Sequence, residues 1–411
     1  MMVDADGTNA PRGPASQAGG ALAAIGARLR GWVEEALRPT VRIAGRTVST
    51  FQLCGLTGFV AAVAVALALG ARLGLSLALL ALLAVAAAGT FLALVLVTRA
   101  ILGEERLVYY HHELAVLAVA ALVLGGLGRP VLPYLDVAVV GLGAFLACGR
   151  LGCASVGCCH GRPHRLGWRY RSEHADAGLA RWLVGVPLYP VQLVESLAVL
   201  ALTVVAASRL WAGGAAPGAV LASQLAGYAA LRFALEFGRG DRERPAWGGL
   251  SEAQWTSLGL ALAVILAESA GWLPLSGWDL AIASAPGLAA LLLWRRRRRP
   301  GSPHRLLAPA HVSEVAQALA TAAASTPAQA PGGARPDVRV FTTSLGVRLS
   351  YGAVDDRTHL YTFSGVAAGA APALSSLILL LGPHAGRSEL LERKPGLYHL
   401  LVTAPAATAA G

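Results

Sequence analysis

The sequence predicts an all-α polytopic membrane domain of about seven transmembrane helices, with an eighth candidate, followed by a small C-terminal α+β soluble appendage. Three observations carry that prediction. Hydrophobic residues make up 55% of the 411 residues and charged residues only 14%, far from the balance of a soluble chain. Apolar runs long enough to span a bilayer recur at about 51–70, 75–97, 112–128, 131–148, 189–208, 219–237 and 253–270. Beyond residue 300 the apolar runs give way to a Pro/Ala/Gly-rich stretch and then to strand-like alternation.

Taken in order, residues 1–37 read as a disordered or amphipathic N-terminal tail. They are small, polar and Gly/Ala-rich, with no compact basic-then-apolar start. Within them RLRGWVEEALR is expected to form a short helix at the membrane surface. The membrane domain occupies 38–299. Its last apolar run, 279–294, is short and holds Pro286 and Gly287, and five arginines follow at 295–299. Those arginines are a positive-inside signal that puts the C-terminal segment in the cytoplasm. Seven spans meet that condition if the N-terminus lies outside, and an eighth breaks it. Residues 271–294 are therefore expected to be re-entrant or interfacial, or else the N-terminus is inverted. A linker follows at 300–336, where AASTPAQAPGGARP cannot bury enough apolar surface to fold alone. In the appendage, 337–411, VRVFTTSLGVRLSYG reads as strand, turn at Gly346 and strand. HLYTFSG reads as a third strand, Ala373–Leu381 as a helix and Leu397–Val402 as another strand. His359, His384 and His399 look scattered, suited to surface or packing roles. The net charge of +11 is almost all arginine, Lys394 being the only lysine, and it gives no reason to expect a nucleic-acid partner.

Charged groups inside spans carry the chemistry. A charge at the bilayer centre costs roughly 2.5–3.5 kcal/mol on insertion scales, yet Arg232, Glu236 and Arg239 sit in AGYAALRFALEFGRGD and Arg150 closes LGAFLACGRLGC. The spacing i, i+4, i+7 places 232, 236 and 239 on one helix face, where Glu236 can hold both guanidiniums with N–H groups left for an anion. In GRLGCASVGCCHGRP, Gly149, Gly152, Gly157 and Gly161 allow the chain to fold back after the helix, bringing Arg150 and Arg162 together. Cys153, Cys158, Cys159 and His160 invite a metal, but zinc sites usually draw on two separated ligand pairs, so none is expected. In YYHHEL, His111 or His112 at the membrane boundary can serve as a general base, with Glu113 adjacent. In YPVQLVES, Pro190 starts a helix and Gln192, Glu195 and Ser196 form a polar stripe that must face the protein interior. Between these motifs, Arg150–Leu188 carries Arg165, Arg169, Arg171, Trp168 and Trp182, which suits either headgroup-level packing or an ordinary charged loop.

From roughly Arg38 to Leu266 the chain resembles the prolipoprotein diacylglyceryl transferases of bacterial inner membranes. YLDVAVVGLGAFLACGRLGC with GCCHGRP is similar to the family's signature, in a branch with a Gly-Cys-Cys loop. YPVQLVES, LRFALEFGRGD and LSEAQWTSL resemble its later motifs in the same order. The resemblance implies transfer of the diacylglyceryl group of phosphatidylglycerol to a lipobox cysteine thiol, with glycerol 1-phosphate leaving and no cofactor. It implies that Arg150 and Arg232 are the essential arginines, with Glu236 and Arg239 completing the helix of Arg232; together with Arg162 of the loop, Arg150, Arg232 and Arg239 are expected on the headgroup phosphate. It also implies that one of His111 and His112 is the base, and that Gln192, Glu195, Glu236, Gly152 and Gly161 support the site. Cys153 and Cys158 stand where the best-studied members have Asn and Glu. Ser49-Thr50-Phe51 lacks the family tyrosine, and Tyr189 and Val194 replace a histidine and a tyrosine. The alternatives are a paralogue that modifies another acceptor or binds anionic lipid without turnover, and a lipid transporter. A transporter favours internal repeats, and none is seen.

Overall fold

The computed structural model describes residues 26, 28, 30–103, 109–241, 246–297, 305–325 and 339–405. A hairpin, β1 (Thr40–Ile43) and β2 (Arg46–Ser49), leads directly into α1 (Thr50–Arg72). The bundle continues with α2 (Leu77–Leu102), α3 (Tyr109–Gly126) and α4 (Val131–Val156). After a folded loop come α5 (Val191–Ala212), α6 (Ala219–Leu235), α7 (Glu252–Ser269) and α8 (Gly277–Arg297). Four of these, α1, α2, α4 and α5, are long and apolar enough to cross a membrane, and α3 and α8 contain shorter apolar helices.

Small residues set the closest crossing. A Cβ added at Gly58 would lie 2.9 Å from the Cys148 Cβ, one at Gly141 3.2 Å from the Ala62 carbonyl, and one at Gly152 3.0 Å from the Cys54 Cβ. These contacts run in opposite order along α1 and α4, so the two helices are antiparallel and meet backbone to backbone, as small residues permit in an apolar medium. Gly152 thus serves helix packing, and the fold-back after α4 belongs to Gly157, whose φ is +80° at the helix C-cap.

Polar ties fix the remaining helices. Ser196 Oγ on α5 donates to the Ala147 carbonyl on α4 at 2.7 Å. Asp136, buried near the start of α4, accepts from Gly218 N and Leu221 N, each at 2.7 Å. It therefore caps α6, whose own N-cap Gly218 has no side chain to do so. At that same end Leu273, just before α8, comes within reach of Gly218. Residues 277–297 then form one continuous helix against α6 and α7, not a re-entrant loop. Pro286 is tolerated inside it, and Ala283 is buried against the neighbouring helices while Trp278, Leu288, Leu291 and Leu292 stay exposed. The eight helices alternate in direction, so β1–β2 and the C-terminus of α8 share one end of the bundle.

The loop between α4 and α5 is a small folded unit. β3 (Pro163–Arg169) pairs with β4 (Pro187–Leu188), and Trp168, Tyr170, Leu183 and Leu188 form their own buried core. Trp168 is therefore interior rather than at headgroup level. Trp182 and Leu381 pack against both this core and that of the C-terminal domain.

A short hairpin, β5 (Ala246–Trp247) and β6 (Leu250–Ser251), leads into α7. The C-terminal domain is a five-stranded antiparallel sheet of β7 (Phe341–Thr342), β8 (Arg348–Ala353), β9 (Thr358–Ser364), β10 (Arg387–Lys394) and β11 (Leu397–Thr403), in the order β10-β11-β9-β8-β7. Two helices cover it, α9 (Pro309–Ser325) and α10 (Ala371–Leu381). The first lies in the stretch read as linker: Val312, Val315 and Leu319 recur at helical spacing and enter the sheet's core. Residues 326–336 lie outside the described ones. The histidines read as scattered partly converge. His359 and His384 stack with ring centroids 3.4 Å apart, and His384 Nδ1 meets the Tyr361 hydroxyl at 2.7 Å.

Candidate active site

Glu195 is the hub of the site. It is fully buried on the first turns of α5, one turn after Pro190 starts the helix. Arg150 Nε, from the last turns of α4, lies 3.0 Å from its Oε2. Arg232 Nε, from α6, is 3.9 Å from Oε1, and Arg239 Nη1 is 3.9 Å from Oε2. The Tyr228 hydroxyl donates to Oε1 at 3.3 Å. Three guanidiniums around one carboxylate, all within the protein interior, hold one another's positions through a shared anion.

The one-face reading of 232, 236 and 239 needs correction. Arg232 Nη1 does pair with Glu236 Oε2 at 2.7 Å, as i, i+4 predicts. But α6 ends at Leu235, Glu236–Gly238 tightens to a 3-10 turn, and Arg239 is extended at φ −73°, ψ 143°. Arg239 reaches Glu195 by a chain turn, and its fork is held by Asp241 at 2.9 and 3.0 Å. Burial works against its charge, while Cys159 and Asp241 more than offset that and raise its pKa. Glu236 thus orients Arg232, and Glu195, not Glu236, bridges the arginines.

The Gly-Cys-Cys loop is stitched to this turn. Arg162 N donates to the Gly238 carbonyl and Gly240 N to the His160 carbonyl, both at 2.9 Å, and Arg162 Nε donates to the Arg239 carbonyl at 2.9 Å. Arg162 therefore holds backbone in place. Gly161 is required there, because a Cβ would run into the Tyr189 carbonyl group. Gln192 Nε2 supports the same loop, donating to the Cys158 carbonyl at 2.9 Å and to the Tyr170 hydroxyl at 3.2 Å.

The two histidines separate. His111 has a half-exposed side chain and its Nε2 is 3.3 Å from Glu252 Oε1 at the start of α7. His112 is buried, its ring 4.5 Å from that of Phe91, which in turn meets Phe145 of α4 edge-on. Two tyrosines escaped the sequence reading. The Tyr110 hydroxyl meets Ser257 Oγ at 2.8 Å, its ring lies 5.2 Å from Tyr228, and Tyr228 reaches Glu195. The signal was present, since Tyr110 and Ser257 both lie in singled-out motifs, but it takes the fold to bring α3 and α7 together.

Guanidiniums held in this way can recognise an anion. Arg150 Nε, Arg232 Nη1 and Arg239 Nε are buried and fixed by carboxylates, Glu195 at 3.0 Å, Glu236 at 2.7 Å and Asp241 at 2.9 Å. Such donors favour an oxyanion. Residues 38–268, more than half of the chain, match the family model described as prolipoprotein diacylglyceryl transferase. The chain belongs to the prolipoprotein diacylglyceryl transferase family. No curated protein matches it. Arg150, Arg232, Arg239 and Glu195 fall inside the matched region, as do Gln192 and the Gly-Cys-Cys loop, whereas the C-terminal sheet domain lies outside it. Membership makes the chain a transferase of lipoprotein biosynthesis with a multi-pass membrane setting and lipid and prolipoprotein substrates.

Proposed function

We propose that the chain transfers the diacylglyceryl group of phosphatidylglycerol to the lipobox cysteine thiol of prolipoproteins, in the bacterial inner membrane. The observation that carries the reading is the convergence of Arg150, Arg232 and Arg239 on the buried Glu195. In the reaction the acceptor sulfur attacks the glyceryl carbon next to the phosphate ester oxygen. The C–S bond forms, the C–O bond breaks, and its electron pair leaves with glycerol 1-phosphate. Negative charge grows on the departing phosphate, where fixed guanidinium donors stabilise it most. The thiol proton needs an acceptor, and His112 is the histidine of the pair that turns inward.

The test is rescue of a strain depleted of its own diacylglyceryl transferase, paired with label transfer from glycerol-labelled phosphatidylglycerol to a lipobox peptide. Wild type, Arg150→Ala, Arg232→Ala, His111→Ala and His112→Ala would be compared at equal membrane expression. The reading expects rescue and transfer by wild type and His111→Ala, and neither by the other three. A well-expressed wild type that transfers no label overturns it, and a paralogue with another acceptor then stands, the Cys153 and Cys158 substitutions marking where the acceptor differs.

A further inference from the structure

We propose that Cys153, Cys158 and Cys159 form a three-thiolate site for a thiophilic metal ion, zinc foremost, directly beside Arg150. The three Sγ atoms lie within 4.8 Å of one another, and all five cysteines of the chain are free thiols. Zinc–thiolate bonds of about 2.3 Å in a tetrahedron put sulfurs about 3.8 Å apart, so a small inward movement completes the ligand set. The argument from separated Cys pairs does not reach this geometry. Here one thiol comes from the helix and two from the turn that folds back over it.

The backbone is shaped for that meeting. Gly157 ends α4 in the left-handed region, and Cys159, though not glycine, is also held at φ +54°. Non-glycine residues occupy that region when their surroundings enforce it, and such positions gather at functional sites. Gln192 pins the Cys158 carbonyl, which fixes the turn from outside. Arg150 Nη1 stands 4.0 Å from Cys153 Sγ. Three thiolates and a divalent ion leave one negative charge, and a neighbouring guanidinium balances it. His160, the remaining candidate ligand of this loop, turns its Nδ1 to the Gly161 carbonyl at 3.0 Å. Three protein ligands leave the fourth position for a water or substrate, the pattern of catalytic rather than structural zinc.

Resting on the transferase reading, that fourth position suits the acceptor thiol. Coordination makes a thiol lose its proton, here to His112, the proton acceptor assigned above. The bound sulfur would then attack the glyceryl carbon while the electron pair of the broken C–O bond leaves with the phosphate toward the arginines. No redox change is involved.

The experiment is metal analysis of the full chain, purified in nanodiscs from zinc-replete cells, with Cys153→Ser and Cys159→Ser beside Cys54→Ser and Cys148→Ser. Stoichiometric zinc in wild type, kept in the last two and lost in the first two at equal monodispersity, is the expected result. Cobalt substitution adds a thiolate-to-metal charge-transfer band that the first two variants lack, a readout independent of activity. Metal-free, folded wild type that takes up neither zinc nor cobalt overturns the site, as does a disulfide within the cluster. Chelation that abolishes label transfer, restored by zinc, supports the acceptor role. Bound zinc without effect on transfer keeps the site and removes that role, and a protein that binds zinc but never transfers label refutes the transferase reading alone.

Discussion

Arg150 and Glu195 face each other across α4 and α5 at 3.0 Å, both inside the protein, and the other two site arginines gather on the same carboxylate. Glu195 is thus a positioning residue whose loss should be felt through the arginines. Glu195→Gln keeps the volume but leaves three buried guanidiniums without their common anion. Removing one member of a buried pair costs about 3–5 kcal/mol, and misplacing a clamp by an ångström costs about a hundredfold in rate. The expected outcome is a lower melting temperature with transfer down by about that factor. A variant with wild-type melting and turnover would show that Glu195 does not hold the arginines.

The glycines of the signature divide into those that space requires and those that it does not. A Cβ at Gly161 collides with the Tyr189 backbone, and one at Gly152 lies 3.0 Å from Cys54 and 3.2 Å from the Phe51 Cα. At Gly149, within α4, nothing comes within 4 Å. Gly161→Ala should dislodge the loop that carries Arg162 and lose activity, and Gly152→Ala should loosen α1 from α4. Gly149→Ala should be neutral or stabilising by about 0.5–1 kcal/mol, the ordinary helix preference of alanine. Thermal unfolding and label transfer on the three variants check the ranking, and equal effects would remove the spacing argument.

What the sequence made legible follows from periodicity and charge. Arg150, Arg232 and Glu195 stand out because an ionised group in an apolar helix has to be used or paired, and the structure pairs all three. The role of Glu195 as bridge was hidden, since it depends on α4, α5 and α6 meeting, which no local spacing reports. Arg239 was misread because the i+7 count assumes that the helix continues, whereas it tightens and ends at Leu235. The same locality explains α9, whose alanine-rich composition between proline-rich stretches resembles a linker until the sheet supplies a surface for Val312, Val315 and Leu319. Strand β10, RSELLERK, went unseen because as an edge strand it is mostly exposed and offers little alternation.

The stacked histidines give the sheet domain a pH dependence with a definite sign. Burial, and then the neighbouring His359, hold His384 below the ordinary imidazole value of 6.5. The folded state therefore prefers neutral His384, and on acidification the unfolded chain takes up the proton first. The stabilisation is complete above the unfolded value and is lost as pH falls through the folded one. Amide exchange in β8 and β9, corrected for intrinsic rate, should hold steady above about pH 7 and quicken toward about pH 5. His384→Gln, which can still bond the Tyr361 hydroxyl, should flatten that response. A profile identical to wild type would assign the acid sensitivity elsewhere.

The direction of the helices makes the last prediction, about sidedness. The end holding Asp136, Gly218 and Leu273 is opposite to the end holding Arg150, Glu195 and Arg239. Helix α8 begins at the former and runs its 21 residues back, about 31 Å at 1.5 Å per residue. Its C-terminus therefore arrives at the site's end, where the sheet domain shares Trp182 and Leu381 with the loop after α4. If all eight helices cross, the β1–β2 hairpin, the arginine site and the sheet domain are expected on one side of the membrane. An N-terminal outside, C-terminal inside arrangement would require that one of the eight helices does not cross. Arginine distribution supplies the sign: Arg38, Arg42, Arg46, Arg165, Arg169, Arg171 and Arg181 are at the site's end, against Arg72, Arg129 and Arg209 at the other. By the positive-inside rule the richer end is expected to face the cytoplasm. Reporter fusions before β1 and after β11 should give the same sidedness, with cytoplasmic reporters active at both. Opposite results at the two positions would mean that α8 does not traverse the membrane beside α6 and α7. Matching periplasmic results would keep the bundle and show that the arginine-rich end is held outside despite its charge.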